Sequence, residues 1–406
     1  MNRRQAAAAS ALVLAFVMPL PLAAAGSAVA APATSVVAAA PATPAAAAAA
    51  AERQGVQITL PRPTGRHAVG QDTLHLVDRS RTDPWARTGP RELMVTLRYP
   101  AQRGTGSTAS YLSDEEARGM LAPGKLERFI SVETLSGTTT HSRERARPVP
   151  GRFPLVILSP GFTVHRATLT SLAEDLASRG YVVATVDHAY ESAGTAFPGG
   201  RVLECLACTR VKESGETVES YRTVSDNRAR DVSFLLDRLT GRSPAWRHAG
   251  LIDRGRIAMA GHSVGGAGTA AAMAGDRRIR AGVDMDGTLF TPVPEEGLGS
   301  RPFLLLGAGD TVPGREESWD RGWRRLDGWK RWITFDKADH FTFTDVPSIG
   351  DQTGAPPLKS QLSGDRSIQL TRSYVGAFFD RHLKGIPQPL LDGPSADAPE
   401  AVFHRP

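Results

Sequence analysis

Five short apolar runs restrict the fold of this 406-residue chain more than any other feature. They occupy residues 155–158, 181–186, 257–260, 281–285 and 303–306. Such runs are typical of strands that are buried on both faces of a parallel sheet. Segments with leucines three or four residues apart, as at Leu169, Leu172 and Leu176, lie between runs and predict helices. The alternation predicts a single α/β domain with a mostly parallel central sheet flanked by helices.

Weaker patterns surround these runs. Residues 92–99 have the composition of an edge strand. Residues 101–150 are rich in Gly, Ser, Thr and Arg, and we interpret them as a surface insertion with one short helix over 114–121. A last amphipathic helix is predicted from about residue 365 to 384. The expected bounds are 52–385 for the folded domain and 386–406 for a Pro-rich tail.

The N-terminal segment differs sharply in composition from the rest. Residues 1–30 combine two early arginines, an apolar stretch and an Ala-Val-Ala sequence at 28–30, which together are typical of a secretory signal peptide. A membrane-anchoring helix is the alternative, but Pro19 and Pro21 interrupt the apolar stretch. Residues 31–51 are Ala/Pro-rich and are interpreted as a linker. We therefore expect a secreted, extracellular protein.

The basic excess of the chain is mild and dispersed. Lys and Arg number 48 against 42 Asp and Glu, which gives a formal net charge of +6. Acidic residues are interspersed with the basic ones throughout, as in residues 226–231. A nucleic-acid footprint requires clustered, uncompensated basic residues. The charge pattern therefore excludes nucleic acid as an expected partner.

A nucleophile is predicted where the third apolar run ends. The run leads directly into Gly-His-Ser-Val-Gly-Gly at 261–266 and then into small, helix-forming residues. A serine at a sharp strand-to-helix turn has a strained backbone and needs glycine two positions away on each side. We therefore assign Ser263 as the nucleophile, with an ordinary tight turn as the alternative. His262 beside it is interpreted as a packing or hydrogen-bonding residue.

An oxyanion hole needs two backbone N–H groups, one directly after the nucleophile and one from the loop after an earlier strand. Val264 would supply the first. The first apolar run ends in Ser-Pro-Gly-Phe at 159–162, with glycine where the backbone must approach the substrate. Phe162 is therefore the predicted second donor, and a plain Pro-Gly turn is the alternative.

The general base is predicted from chain order. Proteins with this type of nucleophile turn carry serine, acid and histidine in that order along the chain. Only His340, His382 and His404 follow Ser263. We expect His382 on a solvated face of the last helix and His404 in the tail. His340, in the loop after the predicted strand 332–335, is therefore the predicted base.

Two aspartates qualify as the acid that orients the base. Asp286 follows the fourth apolar run, and Asp310 follows the fifth in a Gly-rich turn. Both lie at strand ends where groups that contact a ligand collect. The residues themselves leave this choice open.

The chain carries two cysteines, Cys205 and Cys208. A zinc site of the four-cysteine type would need a second pair, which the sequence lacks. An exported protein favours a local disulfide, with free thiols as the alternative. The two residues lie in the segment 187–225, which we interpret as a lid-like insertion over the nucleophile.

These motifs resemble a known family, the plasma-type platelet-activating-factor acetylhydrolases and their bacterial esterase relatives. The resemblance extends from about residue 60 to 385. It rests on residues 60–65, on Leu-Arg-Tyr-Pro at 97–100, on the two loops around Phe162 and Ser263, and on His340 with Phe341. It implies the α/β-hydrolase fold. It also favours Asp286 as the acid, since that family takes its acid one strand earlier than most α/β hydrolases, whereas Asp310 resembles the acid of cutinase-like lipases and polyesterases.

The resemblance implies a secreted serine carboxylic-ester hydrolase that cleaves short-chain or phospholipid-like esters through an acyl-enzyme. The implied triad is Ser263, Asp286 and His340, and neither a metal nor another cofactor is required. The implied partners are a small-molecule or lipid ester and a lipid interface, with no protein partner. The alternatives are a cutinase-like lipase or polyesterase and a non-catalytic binding protein on the same fold.

Overall fold

A large β-sheet organises the protein in this computed structural model, which describes residues 56–355 and 360–406. The predicted signal peptide, 1–30, and linker, 31–51, lie outside the described residues. Thirteen strands are found in the described part of the chain. They are β1 (Ala68–Thr82), β2 (Pro90–Ala101), β3 (Ser107–Ser110), β4 (Thr139–Glu144), β5 (Phe153–Ser159), β6 (Val182–His188), β7 (Thr195–Phe197), β8 (Arg201–Leu203), β9 (Ile252–His262), β10 (Ile279–Met285), β11 (Phe303–Gly307), β12 (Lys330–Phe335) and β13 (Ala401–His404).

The main sheet has eleven strands among the described residues, in the order β13-β12-β11-β10-β9-β5-β6-β2-β1-β4-β3. Its centre, from β12 to β6, is entirely parallel. The five apolar runs form β5, β6, β9, β10 and β11, which confirms the predicted mostly parallel α/β sheet. Strand β2 joins antiparallel to β6, and β7 and β8 form a separate hairpin.

Helices connect the strands and cover both faces of the sheet. In chain order they are α1 (Asp114–Leu121), α2 (Val132–Ser136), α3 (Thr170–Ser178), α4 (Leu206–Glu213), α5 (Val218–Thr240), α6 (Val264–Gly275), α7 (Glu317–Arg325), α8 (Val346–Thr353) and α9 (Gly364–Lys384). The predicted helices over 114–121 and about 365–384 are confirmed as α1 and α9. Helix α9 ends at Gly385, whose φ of 68° favours glycine. Within the described ranges, no helix is both long and apolar enough to cross a bilayer.

Two hydrophobic cores lie on opposite faces of the sheet. Successive side chains of a strand point to opposite faces, so Leu155 and Ile157 of β5 enter one core while Val156 and Leu158 enter the other. Helices α5 and α6 cover the first core, and α3 and α9 cover the second. Burial on both faces explains why these strands are uniformly apolar in sequence.

The edges of the sheet reach further than the sequence predicted. Residues 101–150, expected as a surface insertion, contribute β3 and β4, and β4 pairs parallel with β1. The segment assigned to a tail contributes β13, which pairs antiparallel with β12 through Phe403 opposite Ile333. All three strands are only four to six residues long, with β3 and β13 at the two edges of the sheet, and such short segments give little periodic signal. The sheet therefore extends beyond residue 385.

Candidate active site

The predicted nucleophile lies on a strained turn between β9 and α6. Ser263 has φ 56° and ψ −126°, a conformation that costs energy for any residue with a side chain. A Cβ on Gly261 would lie 2.1 Å from the backbone of Gly265. One on Gly265 would lie 2.1 Å from the carbonyl oxygen of Ser159. Both glycines are therefore required for this turn and for its contact with the end of β5.

The turn is tied to the neighbouring strand by its backbone. The N–H of Ser263 donates to the carbonyl oxygen of Met285 at 2.8 Å, which places the serine beside the end of β10. Its side chain lies at the carboxyl edge of the parallel strands, where such sheets bind ligands. No described residue forms a hydrogen bond with the Ser263 hydroxyl, which leaves it available to a substrate. Contacts between a nucleophile and its base are often loose before substrate binds.

His340 and Asp286 are brought together at the same edge. Nδ1 of His340 lies 2.6 Å from Oδ2 of Asp286. The other oxygen, Oδ1, accepts from the backbone N–H of Ala308 at 2.8 Å and from the hydroxyl of Thr311 at 2.6 Å. Burial opposes the charged form, but the hydrogen bonds from His340, Ala308 and Thr311 outweigh it and hold the pKa of Asp286 below its ordinary value.

Asp310, the alternative acid, lies elsewhere. Its side chain is 99% exposed and pairs with Arg315 at 3.2 Å. The Gly-rich turn still contributes to the site, because Thr311, the residue after Asp310, donates to Asp286. No motif in the sequence marks Thr311. Its place in the turn that follows β11 is the one signal that the sequence offers for it.

His262 supports the histidine loop. Its Nε2 lies 2.7 Å from the carbonyl oxygen of His340, so the neutral ring donates Nε2–H to that oxygen. The two rings are 4.6 Å apart between centroids. Burial, together with the positive charge that His340 can carry, lowers the pKa of His262 well below its usual value. His262 therefore stays neutral and anchors the backbone of His340.

The two other histidines that follow Ser263 have other partners. His382 packs against Trp329 and Phe378, with ring centroids 4.6 and 4.8 Å away. The expectation that it lies on a solvated face is wrong, because these rings cover the end of α9. His404 lies on β13, where its Nε2 is 3.0 Å from the hydroxyl of Thr334.

The two predicted oxyanion donors have no protein acceptor. Within the described residues, neither the N–H of Phe162 nor that of Val264 donates a hydrogen bond. The 159–162 loop lies directly on the start of α6, as the close approach of Gly265 to Ser159 requires. A Cβ on Gly161 would lie 3.0 Å from Nδ1 of His262. Glycine at 161 therefore allows the loop to approach the nucleophile turn.

An apolar wall adjoins the turn. Val264 packs in a cluster with Tyr221 of α5 and Phe290. The rings of Tyr221 and Phe290 stack with their centroids 5.0 Å apart. Phe162 meets Tyr221 edge-on at 5.9 Å. Residues of the lid-like segment complete this cluster, namely Tyr190, Cys205, Leu206, Ala207 and Val211. The segment therefore packs beside the residue that follows the nucleophile.

The lid-like segment contains a disulfide. Cys205 and Cys208 are bonded, with Cα atoms 5.2 Å apart. Cys205 also caps helix α4, because its sulfur accepts from the N–H of Cys208. The bond fixes the first turn of α4, the helix that places Ala207 and Val211 in the wall.

Comparison with known proteins places the chain in a family. A sequence profile described as "Platelet-activating factor acetylhydrolase, isoform II" matches residues 53–202 and 244–384. The chain belongs to this family. The match covers the strained turn, the loop 159–162 and the loop that carries His340.

Individual relatives point to ester chemistry. A "Probable 1-alkyl-2-acetylglycerophosphocholine esterase" of Arthroderma benhamiae is 29% identical over 85% of this chain and 93% of its own length. A "Bis(hydroxyethyl) terephthalate hydrolase" of Streptomyces coelicolor is 32% identical over 52% of this chain and 57% of its own. A solved ferulic acid esterase from Streptomyces cinnamoneus superposes with a TM-score of 0.76, at 44% identity over 86% of this chain and 99% of that one. The protein is an α/β-hydrolase and a carboxylic-ester hydrolase.

Proposed function

We propose that this protein hydrolyses esters of small carboxylic acids through a Ser263–His340–Asp286 triad and an acyl-enzyme. The observation that carries the proposal is the 2.6 Å contact between His340 and Asp286 at the strand edge where Ser263 occupies its strained turn. The three residues also follow one another along the chain as serine, aspartate and histidine, the order expected with this type of nucleophile turn.

The chemistry follows from the roles of these side chains. His340 Nε2 accepts the hydroxyl proton as Ser263 Oγ attacks the ester carbonyl carbon. The resulting imidazolium is stabilised by Asp286 and gives that proton to the departing alcohol oxygen. A water molecule, deprotonated by His340, then attacks the acyl-enzyme. The acid leaves and Ser263 regains its proton from His340.

The oxyanion of each tetrahedral intermediate would be held by the N–H groups of Phe162 and Val264. Both N–H groups lack a protein acceptor among the described residues, and Val264 is the first residue of α6. The N-terminal end of a helix carries partial positive charge, which favours the developing anion. Preorganised donors of this kind are a large source of rate enhancement.

We propose short-chain or phospholipid-like esters as the preferred substrates. The fungal relative named as an alkyl-acetylglycerophosphocholine esterase matches along nearly its whole length, and a platelet-activating factor acetylhydrolase of Cavia porcellus covers 80% of this chain. Val264, Tyr221 and Phe290 form a buried apolar cluster beside the turn, which makes the surroundings of Ser263 apolar on that side. A lipid interface is the proposed place of contact with such substrates.

Aryl esters are the second candidate. The three aromatic rings of Phe162, Tyr221 and Phe290 form one contiguous group, and flat acyl groups pack favourably against such rings. The ferulic acid esterase of known structure is similar over nearly its whole chain. A cutinase-like activity on polymers remains a third outcome of the test below.

Secretion is also part of the proposal. It rests on the composition of residues 1–30 and on the disulfide between Cys205 and Cys208, since structural disulfides persist in oxidising compartments. Detection of the protein in culture supernatant, with a new N-terminus near residue 31, would support it. Retention of the full-length chain inside cells would contradict it.

A substrate series tests the proposed function. We expect kcat/KM on p-nitrophenyl esters from C2 to C16 to peak at the short chains, with hydrolysis of a 1-alkyl-2-acetylglycerophosphocholine. A maximum at long chains would favour the lipase, and a dominant rate on methyl ferulate would favour the aryl esterase. The matched control is Ser263→Ala, and full activity of this variant would contradict the mechanism.

A further inference from the structure

The structure assigns Arg228 as a positioning residue that aims the Phe162 N–H at the oxyanion. This inference rests on the proposed function and deepens it. Arg228 lies on α5 with only 1% of its surface exposed. Its guanidinium contacts the 159–162 loop.

The guanidinium of Arg228 donates hydrogen bonds to two consecutive carbonyl groups of that loop. Nη1 donates to the carbonyl oxygen of Pro160, and Nη2 donates to that of Gly161 at 3.3 Å. Nη1 also lies 3.3 Å from the hydroxyl of Ser159. The planar fork of arginine can bind several acceptors in one fixed orientation. The loop backbone is thereby fixed on both sides of Gly161.

The geometry of the Gly161–Phe162 peptide determines the direction of the Phe162 N–H. The Gly161–Phe162 peptide is trans, so its C=O and N–H point in opposite directions. Because Arg228 holds the C=O on its own side, the Phe162 N–H must point away from Arg228. That N–H has no protein acceptor among the described residues. A flip of this peptide would remove one of the two oxyanion donors.

The far end of the loop is fixed by the same network. Glu191 accepts from Arg228 Nε at 2.7 Å through its carboxylate, and its backbone carbonyl accepts from the N–H of Thr163 at 2.9 Å. Phe162 therefore lies between two residues, Gly161 and Thr163, whose backbone groups are held by hydrogen bonds.

Buried partners hold this network in place. The other carboxylate oxygen of Glu191 accepts from Arg91 at 2.8 Å and from the indole N–H of Trp85 at 2.9 Å. His188 lies 3.1 Å from the Ser159 hydroxyl and 2.8 Å from Asp231. These groups are nearly inaccessible to solvent. A buried, paired charge is costly to disturb, so the guanidinium has little freedom to move.

Arg228→Lys tests the assignment. Lysine keeps the charge but cannot bind both carbonyl groups and Glu191 in one plane. We expect kcat on p-nitrophenyl butyrate to fall about 10- to 100-fold, less than the roughly 100- to 1,000-fold loss on deleting an oxyanion donor. KM should stay within about threefold. The inhibition constant of a trifluoromethyl ketone, which forms a tetrahedral oxyanion on serine, should weaken in parallel with kcat.

Arg372→Lys is the matched control. Arg372 is also buried, with 5% exposure, and it also donates to backbone carbonyl oxygens, those of Ser171, Arg62 and Pro61. We expect it to lower the melting temperature while kcat and the ketone affinity stay within about twofold of wild type. An equal kcat loss in both variants would reduce Arg228 to a structural role and overturn the inference.

Two further results are decisive. A folded Arg228→Lys enzyme with wild-type kcat and ketone affinity overturns the inference. If that variant does not fold, Glu191→Gln replaces it, and an unchanged kcat in the folded Gln variant overturns the inference as well. Activity retained by Ser263→Ala would instead overturn the proposed function, so the two failures are distinguishable.

Discussion

At the scale of single residues, side-chain direction separates the two candidate acids. Asp286 has a left-handed backbone, with φ 62°, and this bend turns its carboxylate toward His340. Asp310 follows the next strand but projects into solvent. The two turns cooperate, because Thr311 donates to Asp286. A strand end alone therefore does not identify the orienting acid.

Paired substitutions test this selection. We expect Asp286→Asn to lower kcat by on the order of 10⁴-fold, because an amide at this position favours the wrong tautomer of the base. Asp310→Asn should leave kcat within about twofold of wild type, since the Asp310 carboxylate is exposed and pairs with Arg315. Steady-state kinetics on a p-nitrophenyl ester measures both. An Asp310→Asn enzyme that loses activity while Asp286→Asn keeps it would reverse the assignment.

At the scale of elements, the junction of β9 and α6 leaves no space for added atoms. The first turn of α6 contacts the end of β5 through Gly265, and the strand before it contacts the same turn through Gly261. The backbones of α6 and β5 are therefore in direct contact beside Ser263. Their packing keeps the strained serine in place.

Alanine substitutions at two glycines of α6 test this packing, one at the contact and one as the control. Gly265→Ala places a methyl group 2.1 Å from the Ser159 carbonyl oxygen, so we expect a loss of more than about 3 kcal/mol of stability or no folded protein. Gly275→Ala has open space around the new methyl group and should change stability by less than about 1 kcal/mol, in the stabilising direction. Thermal unfolding measures both. Equal melting temperatures would contradict the packing described for the turn.

At the scale of the whole molecule, one buried carboxyl joins distant segments. Asp345 accepts from the backbone N–H groups of Thr170 and Ser171 at 3.1 Å and from the hydroxyl of Tyr111 at 3.4 Å. Burial dominates over these hydrogen bonds and raises the pKa of Asp345 to about 7. The folded protein therefore holds this proton more tightly than the unfolded chain, whose carboxyl has a pKa near 3.8.

The raised pKa predicts a pH dependence of stability. The contribution of Asp345 to the free energy of unfolding is fully present below about pH 4. It is lost as the pH rises toward 7, because in this range only the folded state still binds the proton. Asp345→Asn removes the titration. We expect the melting temperature of the variant to increase relative to wild type between pH 4.5 and 7.5. A difference between the two proteins that stays constant over this range would contradict the prediction.

The sequence predicts those parts of the protein that local physics determines. Fully buried strands must be apolar, and the strained turn needs glycines around Ser263, so both are recognisable without a structure. The Arg228 network is not recognisable, since its partners in the oxyanion loop lie 67 to 69 positions away in the chain. The edge strand β13 is missed because its four residues are too short for a periodic signal.

Covalent labelling of Ser263 tests the central claim most directly. Incubation with diisopropyl fluorophosphate, followed by intact-mass and peptide mass spectrometry, reports how many residues react and which. We predict one adduct per chain, located on Ser263, that forms in step with the loss of esterase activity, and no adduct on Ser263→Ala. Inactivation through a different residue, or full activity after complete modification of Ser263, would contradict the account.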